Sequence, residues 1–455
     1  MMIRESFKLT MGLCIGLCLY SCQKSSSLSE AMQPAALSAS KAQQSHLQPG
    51  QTDAYVPGQL LIKFKDGASA KAKANILTKL KGKYKNKINS SAIPGFEDEG
   101  AIDLVETSAE LLSAIDNVKN EPDIDFVEPN YIYHTTEVAN DPYFTNAQWN
   151  MQSGGYGCQA STAWTNHKTG GSDVYIGVVD QGYMYQHDDL KNNAGVNPGE
   201  IPGNGIDDDH NGYIDDVYGW NFYNNDAEIY KGSDSHGTHV AGIIGAEGGN
   251  GIGVAGVVWN VKLLGTKFIE GRTGNTFSAV QAIDYLIALK VKQKLNIVAL
   301  CCSWGGTDKS KNLEAAIKRA GKAGILIIAA AGNSAANNDK TAMYPASYKL
   351  NNIISVASIN QAGGLSSFSN YGAKTVDIGA PGESIVSTYL NNTYGGMSGT
   401  SMAAPHVAGA AALYASTHPG ASATQIKNAI LSAAIPTASL KGKCVTGGRL
   451  DISGF

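Results

Sequence analysis

The stretch Ser398-Gly-Thr-Ser-Met-Ala-Ala-Pro-His-Val-Ala-Gly409 places three hydroxyl side chains directly before small residues that predict a helix. A serine hydroxyl is a weak nucleophile at neutral pH, and it becomes reactive only beside a general base that a third group orients. A serine at a helix start is otherwise most often a cap. The rest of the sequence therefore decides whether this stretch carries chemistry.

Asp180 and His236 lie in two other segments at the ends of predicted elements. Asp180 follows the apolar run 174–179, and His236 lies in Ser235-His-Gly-Thr-His-Val-Ala-Gly242, which predicts a second helix of small residues. Taken alone, each has a plain structural explanation as a turn, capping or packing residue. His236 and His239 are one helical turn apart, but the Glu that a zinc hydrolase needs at this spacing is missing, so we set a metal site there aside.

Continuous apolar runs alternate with predicted helices from about residue 140 onward. Strands buried on both faces of a parallel sheet show such runs, whereas half-exposed strands alternate apolar and polar residues. The predicted strands are 174–179, 296–301, 324–330 and 352–357, and the predicted helices are 278–292 and 313–323. The pattern predicts an α/β fold with a doubly wound, mostly parallel sheet flanked by helices, whose sites form at the carboxyl ends of strands.

The three segments together resemble the subtilisin-like serine proteases, or subtilases, whose catalytic triad follows the chain order Asp, His, Ser. The resemblance covers about residues 140–452 and is carried by HGTHVAG (236–242) and GTSMAAPHVAG (399–409). The segment Ala330-Ala-Gly-Asn333 is similar to the family's oxyanion-hole segment. One departure is Gln181, because the family usually has Ser or Thr at this position.

The resemblance implies a serine endopeptidase that needs no cofactor for catalysis. Asp180 would orient His236, which would take the proton of Ser401 and later deliver it to the leaving amine. Ser401 would attack the scissile carbonyl, and its N–H, at a helix N-terminus, would join the Asn333 amide in binding the oxyanion. Pro405 is expected in the first turn of that helix, where proline is tolerated.

The resemblance also places the substrate cleft at two strand ends. The segment 303–305 would pair with an extended polypeptide through main-chain hydrogen bonds, and 330–332 would complete the walls of a primary specificity pocket with room for a sizeable apolar side chain. The loop 270–274 would form the opposite edge, and plain core packing is the alternative for the tryptophan. The expected substrate-binding residues are Ser303, Trp304, Gly305, Ala330, Ala331 and Gly332.

The loop 204–216 is predicted to bind a structural calcium ion. Its candidate ligands are Asp207, Asp209, Asn211 and Asp215. The alternate spacing of the first three resembles part of an EF-hand loop, although Tyr218 occupies the position of the closing Glu. An acidic surface turn is therefore the alternative.

A second calcium site is implied by the resemblance alone. In subtilases, side chains matching Asp189 and Asn250 hold a structural calcium together with loop carbonyls. The loop that carries Asn250 here is one residue longer than the family pattern.

The segment 55–138 predicts a small α+β unit that resembles the inhibitory propeptide of subtilases, a ferredoxin-like fold. Its predicted strands are 59–64, 101–105 and 125–128, and its predicted helices are 68–81 and 108–120, the second capped by Ser108. The Lys-rich span 63–87 is interpreted as a solvated helix face. Processing is expected between about His134 and Asn140, before the catalytic domain 139–455.

The N-terminal segment predicts export. Residues 1–22 combine Arg4 and Lys8 with a short apolar run that ends in Leu19-Tyr-Ser-Cys22, which resembles a lipobox with Cys22 as the lipidated residue. An ordinary secretory signal is the alternative. Residues 23–54, rich in Ser, Ala and Gln, predict a flexible tether between a membrane anchor and the fold, so that cleavage could release the mature enzyme.

Four cysteines follow this segment. Cys301 and Cys302, adjacent in a predicted strand, are interpreted as small buried hydrophobes that face opposite sides, and a Cys158–Cys444 bridge is left open.

Composition and missing motifs exclude several other functions. The 455 residues are 43% hydrophobic and 16% charged with a formal net charge of −4, so the chain has none of the basic excess of a nucleic-acid binder. We expect a monomer that acts on polypeptides and is inhibited by its own propeptide. A non-catalytic peptide-binding lipoprotein is the main alternative. A lipase or esterase would need G-x-S-x-G and the order Ser, Asp, His, which the sequence lacks.

Overall fold

The computed structural model describes residues 55–89, 101–131 and 139–455. Contacts divide the chain into two compact units, Met1–Tyr133 and His134–Phe455. Cys22, the tether and most of the predicted processing interval lie outside the described residues. The predicted domain bounds therefore stay predictions.

The first unit has a four-stranded antiparallel sheet and two helices. Its elements are β1 (Tyr55–Phe64), α1 (Ala70–Lys79), β2 (Gly82–Asn89), β3 (Ala101–Thr107), α2 (Leu111–Val118) and β4 (Ile124–Tyr131). The strand order β2-β3-β1-β4 is the predicted ferredoxin-like arrangement. Alternate residues Leu60, Ile62 and Phe64 of β1 are buried against residues of both helices, which forms the core of this unit.

Two predictions for this unit were wrong. The Lys-rich span is not one helix face, because it runs through β1, α1 and β2, and β2 was not predicted at all. Nearly all of β2 is exposed, so it lacks the apolar alternation that marks a strand. Ser108 does not cap α2, because the helix begins at Leu111 and the Glu110 carboxylate accepts from the N–H groups of Leu112 and Ser113, at 3.2 and 2.8 Å.

The second unit is built on a nine-stranded sheet in the order β16-β17-β13-β12-β11-β10-β5-β7-β6. These strands are β5 (Gly170–Asp180), β6 (Gly219–Asn221), β7 (Asn260–Lys267), β10 (Ile297–Cys302), β11 (Leu326–Ala330), β12 (Ile353–Ile359), β13 (Ile378–Pro381), β16 (Ile435–Pro436) and β17 (Gly448–Arg449). Only the pair β16–β17 is antiparallel. Two hairpins stand apart, β8 (Ile269–Glu270) with β9 (Thr273–Gly274) and β14 (Ile385–Tyr389) with β15 (Thr393–Met397).

Helices cover both faces of this sheet, which confirms the doubly wound prediction. They are α3 (Phe144–Ala147), α4 (Ala160–Thr165), α5 (Ser235–Gly245), α6 (Thr276–Lys292), α7 (Lys311–Lys322), α8 (Thr400–Thr417) and α9 (Ala423–Ser432), with short 3-10 segments at Leu390–Asn392 and Ala438–Leu440. Buried residues of α5, α8 and α9 share one core, and those of α6 and α7 share another. Strand β10 separates the two, since Cys301 belongs to the first core and Cys302 to the second, as predicted.

The long helix α8 lies against the centre of the sheet. Its buried residues are mostly alanine and glycine, so the helix approaches its neighbours closely. A Cβ at Gly409 would lie 2.5 Å from Cβ of Val257, which explains the glycine. None of the described helices is long and apolar enough to cross a membrane. All four cysteines of the described residues are free thiols, so Cys158 and Cys444 form no bridge.

Candidate active site

The predicted catalytic residues lie at the ends of elements of one sheet. Asp180 is the last residue of β5, and Asn333 follows β11. His236 and Ser401 are the second residues of α5 and α8. Parallel strands present their carboxyl ends at one edge of a sheet, and this connectivity brings residues far apart in sequence to that edge.

The carboxylate of Asp180 is joined to the imidazole of His236. Nδ1 of His236 lies 2.8 Å from Oδ1 of Asp180, which is fully buried, whereas the His236 side chain is 24% exposed. Burial lowers the pKa of His236, but the charge of Asp180 and its hydrogen bond raise it by more, so the pKa lies above its ordinary value of 6.5. The pair is arranged to hold a proton on Nδ1 and to leave Nε2 for a second partner.

Ser401 forms a reciprocal pair of hydrogen bonds with Ser303. Oγ of Ser401 donates to the Ser303 carbonyl at 2.8 Å, and Oγ of Ser303 donates to the Ser401 carbonyl at 2.9 Å. The Ser401 carbonyl can accept this bond because Pro405, four residues on, has no N–H. Pro405 is the sixth residue of α8, so its predicted place in the first turn was wrong. The hydrogen bonds of the described residues include none between Ser401 and His236.

The side chain of Asn333 caps α8 from outside the helix. Its Oδ1 accepts from Thr400 N at 2.8 Å and from Thr400 Oγ1 at 2.9 Å, which directs Nδ2 away from the helix. A Cβ at Gly399 would lie 3.4 Å from Nδ2 of Asn333 and 3.6 Å from N of Ser401. Both donor nitrogens therefore lie next to the space that glycine leaves open. The Ser401 N–H, in the first turn of α8, has no intrahelical acceptor. Thr400 was not among the residues predicted for the site.

The expected substrate-binding residues follow β10 and end β11. Trp304 packs its ring against Phe268, with centroids 4.8 Å apart, and donates its indole N–H to the Val179 carbonyl at 2.8 Å. These contacts agree with the alternative interpretation, in which Trp304 packs in the core. Ala330 and Ala331 are buried.

Met343 lies between the two predicted walls, and sequence reasoning missed it. A Cβ at Gly332 would lie 2.9 Å from Cε of Met343, and a Cβ at Gly305 would lie 3.3 Å from its Cγ. Met343 therefore narrows the predicted specificity pocket, which the small residues of 303–305 and 330–332 alone would leave wider. It is some 40 residues downstream of 303–305, and only the tertiary fold brings it there.

The predicted site at Asp189 and Asn250 contains a further buried carboxylate. Asp189 accepts from Asn250 Nδ2 and from Val254 N, both at 2.9 Å. Asp141 accepts from the N–H of Gly249, next to Asn250, at 2.9 Å, and its Oδ1 is buried without a hydrogen-bond partner. Burial raises the pKa of both carboxyl groups. An unpartnered buried carboxylate oxygen fits a cation, and Asp141 was missed because it lies far upstream.

Glu200, which precedes the acidic loop 204–216, brings a third carboxylate close to those of Asp207 and Asp209. One carboxylate oxygen each of Glu200, Asp207 and Asp209 lie within 4.8 Å of one another. Oδ1 of Asp209 is buried without a hydrogen-bond partner, which fits a cation. Asp215 lies outside this group and accepts from the N–H groups at 204 and 205, at 3.1 and 2.9 Å. Asn211 uses its Oδ1 to accept from Tyr213 N at 2.8 Å.

Comparison with known proteins agrees with this geometry. Residues 171–450 match the family described as the subtilase family, and residues 41–130 match the fervidolysin N-terminal prodomain. The chain belongs to the subtilase family.

Relatives of this subtilase include characterised proteases. It is 33% identical over 377 residues to the thermophilic serine proteinase of Bacillus sp. (strain AK1), covering 83% of this chain and 82% of the relative. It is 37% identical over 294 residues to thermitase of Thermoactinomyces vulgaris, covering 64% and 90%. A solved protease structure from Pseudoalteromonas arctica PAMC 21717 has a TM-score of 0.57 at 27% identity and covers 70% of this chain and 98% of that one. The chain is therefore a subtilisin-like serine protease, a hydrolase with a prodomain.

The Asp180–His236 contact predicts the titration of His236. In the Ser401→Ala background, NMR of the imidazole should show His236 titrating above pH 6.5. Asp180→Asn should lower that pKa, because burial then acts without the opposing negative charge. Protonated His236 cannot accept a proton, so activity of the subtilase should fall as the pH drops through this raised pKa. Exposed Asp308→Asn is the control, and an Asp180→Asn titration equal to that of the parent would contradict the assignment.

Proposed function

We propose that this subtilase is an exported serine endopeptidase in which Asp180, His236 and Ser401 form the catalytic triad and Asn333 donates to the oxyanion. The observation that carries the proposal is the space beside Gly399, next to which the Asn333 amide and the Ser401 N–H both lie. A module that only binds peptides has no use for two donors beside one open space in a chain that also carries a histidine–carboxylate pair. The geometry therefore favours catalysis over the peptide-binding alternative.

The first step forms a tetrahedral intermediate. Ser401 rotates its hydroxyl from the Ser303 carbonyl toward Nε2 of His236. As Oγ bonds to the scissile carbonyl carbon, its proton passes to His236 and the carbonyl oxygen becomes an oxyanion. Asn333 Nδ2 and Ser401 N donate to that oxygen, and loss of one such donor in a subtilisin costs about 10²–10³ in turnover.

The second step restores the enzyme. The tetrahedral intermediate breaks its C–N bond as His236 protonates the leaving amine, which leaves an ester on Ser401. Water then attacks this ester and gives a proton to His236, which passes it to Oγ of Ser401 as the ester C–O bond breaks and the carboxylic product leaves. Throughout, the buried Asp180 stabilises the imidazolium and holds the ring orientation.

The chain order supports synthesis as a self-processing precursor. The prodomain would act as an intramolecular inhibitor, and cleavage between about His134 and Asn140 would release the enzyme. The N-terminal segment 1–22 supports export with a lipid anchor on Cys22. Cleavage would leave that anchor on the prodomain and free the protease.

Structural calcium would be held at two places. Asp141, Asp189 and Asn250 would provide oxygens at one, and Glu200, Asp207 and Asp209 at the other. Bound calcium would supply positive charge that neutralises these carboxylates, and it has no part in the reaction. The support is the same at both sites, a buried carboxylate oxygen without a protein partner.

Replacing the nucleophile should stop maturation. The wild-type chain should yield a fragment of about two thirds of the 47.7 kDa mass, whereas Ser401→Ala should stay a full-length precursor. Immunoblots with antibodies against each unit measure this. Ser398→Ala is a matched control, since Ser398 lies three residues away and its Oγ accepts from Ser384 N at 2.8 Å. Identical processing of wild type and Ser401→Ala would refute the proposal.

Calcium removal should destabilise the second unit. In the Ser401→Ala background, which prevents self-digestion, a chelator should lower the melting temperature by about 5 °C if calcium had been present near 100 times its Kd. Asp141→Asn and Asp209→Asn should each reduce this difference, while Asp308→Asn should preserve it. Equal melting temperatures with calcium and with chelator would rule out both sites.

A further inference from the structure

Gln181, the departure from the family pattern, connects the catalytic pair to an exposed loop. Its N–H donates to Oδ1 of Asp180 at 2.7 Å, and its Oε1 accepts from the backbone N–H of His236 at 3.0 Å. Its Nε2 donates to the carbonyl of Gly271. One side chain thus contacts both the start of α5 and the β8–β9 hairpin.

The hairpin contacted by Gln181 is exposed at its tip. Gly271 forms its turn with a φ of +59°, and every residue from 271 to 277 is exposed. Exposed turns with few buried contacts open more easily than the core. The position of the hairpin tip therefore depends on the few polar contacts that it makes with the rest of the unit.

The base of the same hairpin is held separately by Lys267. This lysine is fully buried, and its Nζ lies 2.7 Å from Oδ1 of Asp234 and 3.0 Å from Oε2 of Glu270. Nζ also donates to the carbonyls of Gln181 at 2.8 Å and Ile269 at 3.0 Å. The hairpin base stays attached when the side chain at 181 changes, so a Gln181 variant should keep the fold.

The length of the glutamine side chain is what allows both contacts. A Ser or Thr hydroxyl lies one bond beyond Cβ, whereas the glutamine amide lies two carbons further out and offers an acceptor and a donor on opposite arms. The family's usual residues are too short to contact both His236 N and the Gly271 carbonyl. The tether is therefore a property of this chain.

We propose that Gln181 is a positioning residue that fixes the hairpin 269–274 as a preformed edge for extended substrates. The inference rests on the proposed function and on the prediction from the sequence that the loop 270–274 forms the edge of the substrate cleft opposite 303–305. An extended peptide advances about 3.3 Å per residue, so only longer substrates contact the hairpin. A loosened tip must be ordered when such a substrate binds, which weakens binding of longer substrates relative to shorter ones.

The test compares a long and a short substrate with the same residue before the scissile bond. A hexapeptide and a dipeptide anilide are assayed with full-chain protein at one fixed pH. Loss of the hydrogen bond to the Gly271 carbonyl predicts that Gln181→Ser lowers the ratio of kcat/KM for long over short substrate about three- to tenfold, mainly through KM. Loss of the bond to His236 N affects both substrates alike and cancels in this ratio. Gln181→Glu, which keeps the acceptor for His236 N–H and loses the donor to Gly271, should lower the ratio similarly. Gln361→Ser, in an exposed turn, is the matched control.

Hydrogen exchange gives a second readout that needs no catalysis. In the Ser401→Ala background, Gln181→Ser should speed exchange of amides at 271–277 relative to Gln361→Ser. An unchanged ratio, or equal losses for both peptides, would overturn the inference, as would unchanged exchange. Wild-type protein that cleaves neither peptide would refute the proposed function instead, and exchange would still decide whether the tether exists.

Discussion

The hydrogen bonds from Thr400 to the Asn333 amide oxygen join the start of α8, which carries Ser401, to the segment that follows β11. They cap α8 with a side chain from the end of β11, and they fix the direction of Nδ2 at the same time. A free asparagine at a strand end would sample several rotamers, so its donor would not face one position. Because α8 packs along the sheet through alanine and glycine, the cap also sets where Ser401 lies relative to β5 and α5. The docking of α8 and the geometry of the proposed oxyanion hole therefore depend on the same hydrogen bonds.

At the start of α8, the hydrogen bond between Ser303 and the Ser401 carbonyl depends on Pro405. Pro405 removes one intrahelical hydrogen bond, and the Ser303 hydroxyl donates to the Ser401 carbonyl that this leaves. In return, the Ser401 hydroxyl donates to the Ser303 carbonyl. The proposed nucleophile is thus held on the segment expected to pair with substrate. A substrate N–H that bonds to the same carbonyl would compete with Ser401 and favour its rotation toward His236.

Much of the second unit was predictable because buried parallel strands are continuous apolar runs, as in β10 (Ile297–Cys302). The exposed strand β2 carries no such signal, since lysines and asparagines form most of it. Contacts made only by the tertiary fold were also missed. Asp141 accepts from the N–H of Gly249, more than 100 residues further along the chain, and Met343 enters the predicted pocket from a distant segment. Local pattern predicts elements and motifs, but it does not say which distant side chain completes a site.

The account depends on Ser401 being the one activated serine, and covalent labelling tests this most directly. A fluorophosphonate probe reacts when a serine oxygen attacks phosphorus and displaces fluoride. Peptide mapping by mass spectrometry of the labelled protein should place the adduct on Ser401, and His236→Ala should slow labelling strongly, because the hydroxyl loses its base. An adduct on another serine, or labelling at Ser401 that is unaffected by His236→Ala, would contradict the account.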